Sequence, residues 1–289
     1  MKEYILSDSN EPSFNLAAEE YLLKNSSSEF FLVYVNKSSI IIGRNQNPFE
    51  EINIQYVKDN DIPIYRRSTG GGTVYHDLGN VNFAFIKNGL DELSNYSYFI
   101  NQMIGPLRKA GIPLEFKEKS HIYLNGKKVS GNAQTFYKNR MLHHGTLLHS
   151  SDLKKLNSSL GSSDLVESKS IKSDPVLTSN LEEYLELSSL IKTIIPSYRK
   201  FTEEEVKSIN EIEEKYLTWK WTFGESPKFK VSCKTNEDEL QIFIRNGLME
   251  SVLLNEEVVE NLIKKPFVNK SFINLKGNIK IYDKIKTLL

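Results

Sequence analysis

Apolar and polar positions along this chain change period several times, and each change marks an element. Tyr4 to Leu6 reads as a short first strand, broken by Asn10 to Pro12. Ser13 is placed to N-cap a helix through Lys24, with Leu16, Glu19, Glu20 and Leu23 at helical spacing. Phe30 to Val35 and Ile40 to Gly43 are β-branched and aromatic runs that read as paired strands. Ile52 to Asn60 reads as helix. Ile62 to Arg66 reads as a strand entering a glycine-rich turn. Val74 to Ile86 alternates as two strands split at Asp77-Leu78-Gly79-Asn80.

Tyr96 to Ala110 has the spacing of an amphipathic helix. Asn125-Gly126 sits between two strand-like runs within Ile122 to Ser130, the strongest short hairpin signal. Leu142 to Leu148 is a further strand, residues 150 to 175 are expected to be irregular, and Leu181 to Ile195 helical. Thr202 ahead of Glu203-Glu-Glu-Val opens a capped helix through Tyr216. Strands over Phe229 to Cys233 and Leu240 to Ile244 and a helix over Glu256 to Lys264 follow. The pattern predicts an α+β protein with a catalytic-sized domain over 1–200 and a small α+β domain over 201–289.

Composition narrows the function classes. Of 289 residues 39% are hydrophobic, enough for a sizeable core. Lys+Arg and Asp+Glu are both 37, and zero net charge argues against a dedicated nucleic-acid binder. The one cysteine, Cys233, cannot pair within the chain or build a cysteine zinc site, which fits a reducing compartment. The first ten residues lack a signal-peptide pattern, and no apolar run approaches the roughly 20 residues of a membrane helix. The expectation is a soluble cytoplasmic protein with no membrane partner.

Three segments carry candidate chemistry. Arg66-Arg-Ser-Thr-Gly-Gly-Gly-Thr-Val-Tyr-His76 puts three glycines after a strand. The backbone there can pass close to a ligand and expose N–H donors, with Arg67 as a forked cation suited to phosphate or carboxylate. A tight turn flanked by solvated arginines would give the same pattern. No Gly-Lys-Ser/Thr follows, so this is not a Walker A loop. In Gly126-Lys-Lys-Val-Ser-Gly-Asn-Ala-Gln134, Lys128 precedes a small-residue turn and could reach a phosphate, or could be a solvated hairpin lysine. In Leu142-His-His-Gly-Thr-Leu-Leu148 the adjacent histidines point to opposite faces of a strand, so they do not chelate one metal together. Core or surface histidines remain the alternative.

Taken in order, Arg-Arg-x-x-Gly-Gly-Gly-x-Val-x-His-Asp-x-Gly-Asn, Lys-Val-Ser-Gly-Asn-Ala and His-His-Gly-Thr-Leu-Leu resemble the lipoate–protein ligase family. Phe14 to Glu20, Ile42 to Pro48 and Tyr216 to Phe229 are also similar, the last to the start of that family's C-terminal accessory domain. The resemblance implies a fold shared with biotin ligases, a mixed sheet with flanking helices. It implies an enzyme that activates lipoic acid with ATP and magnesium to lipoyl-AMP. The lipoyl group then passes to a lysine of apo lipoyl domains, those of 2-oxoacid dehydrogenase E2 subunits or the glycine-cleavage H protein.

By the same resemblance Arg67, Gly72, Thr73, Val74, Tyr75 and Asn80 serve ATP. Leu16, Ala18, Gly71, Gly72, His76 and His144 serve lipoate, and Lys128 serves both and catalysis. No metal ligand is assigned. Two segments depart from the family pattern: Lys119-Ser-His121, where members often carry Arg-Asn-Asp, and Lys172-Ser-Asp-Pro-Val176, where an arginine is common. A lipoyltransferase using preformed lipoyl-AMP and a non-catalytic lipoyl-domain-binding protein on the same fold are the alternatives. Retention of Lys128 argues against mere binding.

Overall fold

The computed structural model describes residues 2–117, 120–161, 163–173, 176–268, 271–272 and 279–288. In chain order the first half contains β1 (Lys2–Leu6), α1 (Pro12–Lys24), β2 (Glu29–Val35), β3 (Ser39–Ile42), α2 (Pro48–Glu51), α3 (Ile54–Asp59), β4 (Ile64–Arg66), β5 (Val74–His76), β6 (Asn80–Asn88), α4 (Tyr96–Lys109), β7 (Leu114–Lys117), β8 (His121–Leu124), β9 (Lys127–Tyr137) and β10 (Arg140–Leu148). There follow α5 (Leu153–Ser159), β11 (Val166–Ser168), α6 (Leu187–Ile194), α7 (Glu203–Tyr216), β12 (Phe229–Lys234), β13 (Glu239–Arg245), β14 (Leu248–Leu254), β15 (Glu257–Val258) and α8 (Ile279–Lys286).

A seven-stranded sheet in the order β1-β2-β6-β10-β9-β8-β7 forms the centre. It is mixed, because β1 runs parallel to β2 while β2–β6 and β6–β10 are antiparallel. Strand alternation divides its two faces. Phe31, Val33, Phe83, Phe85 and Met141 turn to one side and pack on Phe99, Ile100, Met103 and Ile104 of α4 and on Leu190 and Ile194 of α6. Phe30, Leu32, Ala84, Ile86 and Leu142 turn to the other, against Ala18, Leu22 and Leu23 of α1. A three-stranded sheet, β4-β3-β5, also lies on this second side. Its Ile41 joins the α1 core, whereas Ile40 and Ile42 join Val231, Cys233, Leu240 and Ile242 of a five-stranded sheet, β11-β12-β13-β14-β15.

Several expectations change. Ser13 is not the N-cap of α1. Pro12, which has no N–H to leave unpaired, starts the helix, and the Ser13 hydroxyl donates to Glu213 of α7 at 2.5 Å. The runs at 30–35 and 40–43 are both strands but belong to different sheets, because β6 occupies the edge of β2 that a hairpin would need. The helix expected over 52–60 begins afresh after Asn53, whose side chain accepts from the N–H of Tyr56. Residues 150–175 contain α5 and β11, and the helix expected over 181–195 is confined to α6. Glu256 to Lys264 is not an α-helix. Asn255 and Glu256 both take positive φ (52° and 69°) and turn β14 back into β15. The Asn125-Gly126 turn (φ 50° and 77°) and the Thr202–Glu205 capping box are as expected.

Two sets of contacts join the parts on either side of residue 201. The strand β11 from the first part pairs with β12, and α7 packs along α1, burying Ile209 and Tyr216 there. The Tyr216 hydroxyl donates to Glu20 at 2.6 Å, and Lys215 pairs with the same carboxylate.

Candidate active site

Two adjoining cavities, of about 640 and 520 Å³, open between the second face of the large sheet and the small sheet. Register explains which side chains meet there. Tyr34 is paired with Asn82, Asn82 with Thr146, Ala84 with His144, and His144 with Ala133, so all share one face. Opposite them stand Ile41 of β3 and Val74 and His76 of β5.

The glycine loop is held in place by Arg67, which is 5% exposed. Its Nε donates to Thr69 Oγ1 (2.8 Å), Nη1 to the carbonyl of Ile41 (3.1 Å), and Nη2 to those of Gly70 (2.6 Å) and Gly72 (2.8 Å). Gly71 adopts φ +87°, and its carbonyl approaches Gly43 so closely that a Cβ there would lie 2.1 Å from it. Burial lowers Arg67 to about 10, so it remains cationic at neutral pH and brings positive charge to the cavity wall.

From Arg67 a chain of hydrogen bonds crosses the inner end of the larger cavity. Tyr34 donates to Glu19 Oε1 at 3.0 Å. Burial, reinforced by Glu19, pushes the phenol well above its ordinary value, so it keeps its proton. Glu19 Oε2 lies 2.8 Å from His144 Nδ1, and His144 Nε2 lies 2.7 Å from Thr69 Oγ1. With Nδ1–H donating to the carboxylate, Nε2 accepts from the Thr69 hydroxyl, which itself accepts from Arg67.

Lys128 lines both cavities. A β-bulge makes this possible: Ile122 pairs with Ser130 but Tyr123 with Lys128, so Val129 is the extra residue and is fully buried. The backbone of Lys128 is also held from the other side, its N–H donating to Leu177 and its carbonyl accepting from Ser179. Its Nζ lies 3.5 Å from His121 Nε2, and His121 too faces the larger cavity. Lys127 is exposed. A strap over 168–173 closes the side. The Ser173 hydroxyl accepts from the Thr73 N–H at 2.9 Å and bonds Glu51, while Ser168 and Ser170 bond Glu50. Lys172 reaches both cavities. Lys119, Asp174 and Pro175 lie outside the described residues.

The structure thus brings Leu16, Arg67, Gly71, Gly72, Thr73, Val74, His76, Lys128 and His144 to the larger cavity. Tyr75 turns the other way, lining only the smaller one, with its hydroxyl 3.0 Å from Ser38. Ala18 is fully buried in the α1 core, behind the wall rather than on it. Asn80 is also fully buried, its amide donating to Asn82 at 2.9 Å, and Asn82 is the one that lines the cavity. Glu19, Tyr34, Thr69 and Asn82 were not singled out from sequence, though strand alternation puts Tyr34 on the face of Leu32 and Asn82 on that of Ala84.

His143 is the partner facing away, stacked on Phe99 at 4.6 Å in the opposite core. Burial holds both His76 and His143 down to about 3, so each is neutral in the fold. The unfolded chain takes up these protons near pH 6.5. Stability from the two histidines is therefore complete above about pH 6.5 and is lost as pH falls towards 3. Urea unfolding at pH 5 against pH 7 should show a loss of about 1–2 kcal/mol per histidine, reduced in His143→Gln. An identical pH dependence in the wild type and that variant would place the effect on other groups.

Residues 11–207 match the family model for the lipoyl protein ligase A/B catalytic domain. The chain belongs to this family. Lipoate-protein ligase LplJ of Bacillus subtilis is 41% identical over 83% of this chain and 80% of its own length. Lipoate–protein ligase 1 of Staphylococcus aureus is 37% identical over 76% and 72%. Among solved structures, P. falciparum LipL1 in complex with lipoate superposes with a TM-score of 0.69 at 22% identity, covering 99% of both chains. Lipoate-protein ligase A bound with ATP superposes with 0.67 at 24%, covering 78% of this chain and 99% of its own. At those identities the likeness establishes the family fold, an α+β architecture with a mixed sheet and flanking helices. No helix among the described residues is long and apolar enough to cross a membrane.

Proposed function

We infer that the chain is an ATP-dependent lipoate–protein ligase, forming lipoyl-AMP and passing the lipoyl group to a lysine of an apo lipoyl domain. The observation that carries this is Lys128 at the junction of the two cavities. The larger one, with Leu16, Ile41 and Ala133 on its walls, suits an acyl chain, and the smaller one, past Thr73 and Ser173, suits the nucleotide.

In the first step the lipoate carboxylate attacks the α-phosphorus of ATP and pyrophosphate leaves. Both reactants are anions, so the ammonium of Lys128 and the fixed charge of Arg67 offset their repulsion and the charge developing on phosphorus. The glycine loop offers backbone N–H groups beside Arg67. In the second step the acceptor amine attacks the acyl carbonyl and AMP leaves, carrying the bonding pair. Lys128 stabilises charge in both. The mixed anhydride is hydrolysable, and the 168–173 strap walls one side of the cavity that would hold it.

Among the described residues no three acidic, imidazole or thiol side chains gather to cage a metal. Magnesium is accordingly proposed as the counter-ion that arrives on the ATP phosphates, a mode usual for this ion. No thioester is required, and Cys233 is buried in the core beneath the five-stranded sheet, away from either cavity. A catalytic unit over 1–200, an accessory unit over 201–289 and a cytoplasmic setting belong to the same proposal, as do E2 lipoyl domains and the glycine-cleavage H protein as acceptors.

The deciding experiment incubates purified protein with lipoate, ATP, magnesium and an apo lipoyl domain, following intact acceptor mass and AMP release. Acceptor lipoylation with stoichiometric AMP is expected. Modification from synthetic lipoyl-AMP but never from lipoate plus ATP would make the protein a transferase instead.

A further inference from the structure

The side-chain amide of Gln46 joins three segments that meet beside the junction of the two cavities. Its Oε1 accepts from the Gly43 N–H and from the Thr73 hydroxyl, both at 2.9 Å. Its Nε2 donates to the Ile171 carbonyl and to the Ser173 hydroxyl, both at 3.1 Å. A backbone N–H can only donate and a backbone carbonyl can only accept, so the amide's orientation is settled at both ends. The main chain beneath it is pinned as well. The Gln46 N–H donates to the Gly43 carbonyl at 3.1 Å, and the Gln46 carbonyl accepts from Arg66 at 2.8 Å. Gln46 is fully buried, so water does not compete for these bonds.

The Ser173 hydroxyl is saturated in turn, accepting from Gln46 and from the Thr73 N–H and donating to Glu51. Here the strap sits directly on the glycine loop: a Cβ on Gly72 would lie 2.9 Å from Ser173 Oγ. Thr73 and Ser173 line both cavities, whereas Gln46 lines neither. Gln46 therefore acts on the site only through the residues it holds. Neither wall is a regular element at this point. Gly70–Thr73 is the connection between β4 and β5, and residues 169–173 follow β11 with no helix or strand. Irregular backbone has no ladder to fix its spacing, so side-chain bonds must do so.

We propose that Gln46 is a positioning residue that sets the width of the cavity junction, clasping the strap to the glycine loop so that Thr73 on one wall and Lys172 and Ser173 on the other meet the nucleotide in one fixed geometry. This rests on the smaller cavity being the nucleotide site. Loss of the amide removes two buried bonds to the strap, so the clasped population should fall, and KM for ATP rise, by about tenfold. The chemical step, which depends on Lys128, should change less.

The test uses two variants of the full chain. Gln46→Met keeps the length of the side chain and removes all four bonds. Gln46→Glu keeps an oxygen for Gly43 and Thr73 but turns an acceptor to the Ile171 carbonyl. In pyrophosphate release with lipoate, both should raise KM for ATP about tenfold with a smaller change in kcat. A merely structural role would reduce the folded fraction, and so kcat, at constant KM. Hydrogen–deuterium exchange reads the clasp without turnover: amides of 168–173 should exchange about tenfold faster in both variants, with β6 and β10 unchanged. Thr73→Val should raise KM for ATP in the wild-type background but add little in Gln46→Met, because the bond it removes is already gone. A wild-type KM for ATP in Gln46→Glu, unchanged strap exchange, or additive effects of Thr73→Val and Gln46→Met would overturn the inference while leaving the ligase reading intact. If the Gln46 variants unfold, seen as fast exchange in β6 and β10, Ser173→Ala and Thr73→Val decide, and a wild-type KM for ATP in both overturns it. A wild type that releases no pyrophosphate would instead overturn the ligase reading, and this role of Gln46 with it.

Discussion

Lys128→Ala is expected to lower both lipoyl-AMP formation and transfer to the acceptor by about 10²–10³, the usual cost of deleting one preorganised charge donor at a reacting centre. Both half-reactions should suffer because Lys128 borders both cavities. The bulge at Val129 and the bonds to Leu177 and Ser179 hold its backbone on both sides, so little reorganisation accompanies the reaction. Lys127→Ala should leave both rates near wild type, since that side chain is exposed on the other side of the strand. Lys128→Arg should also fail, because a planar fork does not fit where a compact ammonium sits 3.5 Å from His121. Adenylation is read by pyrophosphate release and transfer by acceptor mass from synthetic lipoyl-AMP. A fast Lys128→Ala with a slow Lys127→Ala would move the site to the other face of β9.

Much of the site was legible because its parts are local in sequence. Three glycines after a strand, a lysine after an Asn-Gly turn and paired histidines on a strand are each ambiguous alone, and it is their order together that resembles the family. What periodicity could not supply was pairing between distant strands. The runs at 30–35 and 40–43 look like a hairpin, yet β2 pairs with β1 and β6. The cavity exists because β3 leaves that sheet, forms the small sheet with β4 and β5, and faces the large one. For the same reason Tyr34, Asn82 and Thr146 meet across three strands of the large sheet without any shared motif.

The family resemblance assigned Arg67 to ATP, and its fork and charge alone left a solvated turn arginine as an equal reading. In the fold most of its donors are bound to carbonyls of 41, 70 and 72 and to Thr69, so it shapes the glycine loop as well as charging the cavity. The helix expected over 256–264 failed for a related reason. Its apolar residues serve a hairpin and a turn that pack on the five-stranded sheet, and tertiary packing overrides helical spacing.

Arg66, the residue before, presents the second large effect, this time on stability. On consecutive residues the two side chains diverge, Arg67 to the glycine loop and Arg66 towards the segment that starts the C-terminal part. The Arg66 side chain is fully buried, and its donors go to carbonyls and one hydroxyl. Its Nε donates to the carbonyls of Trp221 and Thr222 (3.1 and 3.0 Å), and Nη2 to Thr222 (2.7 Å) and the Ser226 hydroxyl (2.9 Å). On its other edge Nη1 donates to the carbonyls of Gly43, Arg44 and Gln46 at 2.8–3.0 Å. The Trp221 indole returns a bond to the Arg66 carbonyl at 2.7 Å. Burial lowers Arg66 to about 9, which still leaves it charged at pH 7.

One guanidinium therefore joins the loop after β3 to residues 221–226, and removing it strands several buried carbonyls at once. Arg66→Met should lower the unfolding free energy by about 3–5 kcal/mol, the range for breaking a buried charged network. Arg66→Lys should rescue little, because three donors on one nitrogen cannot span both edges. Arg245→Met, which removes an exposed pair with Glu250, should cost no more than about 1 kcal/mol. Urea denaturation of the three variants measures this directly. If Arg66→Met unfolds at the wild-type midpoint, the carbonyls of 43–46 and 221–222 have other partners in solution, and the C-terminal part is not anchored through this residue.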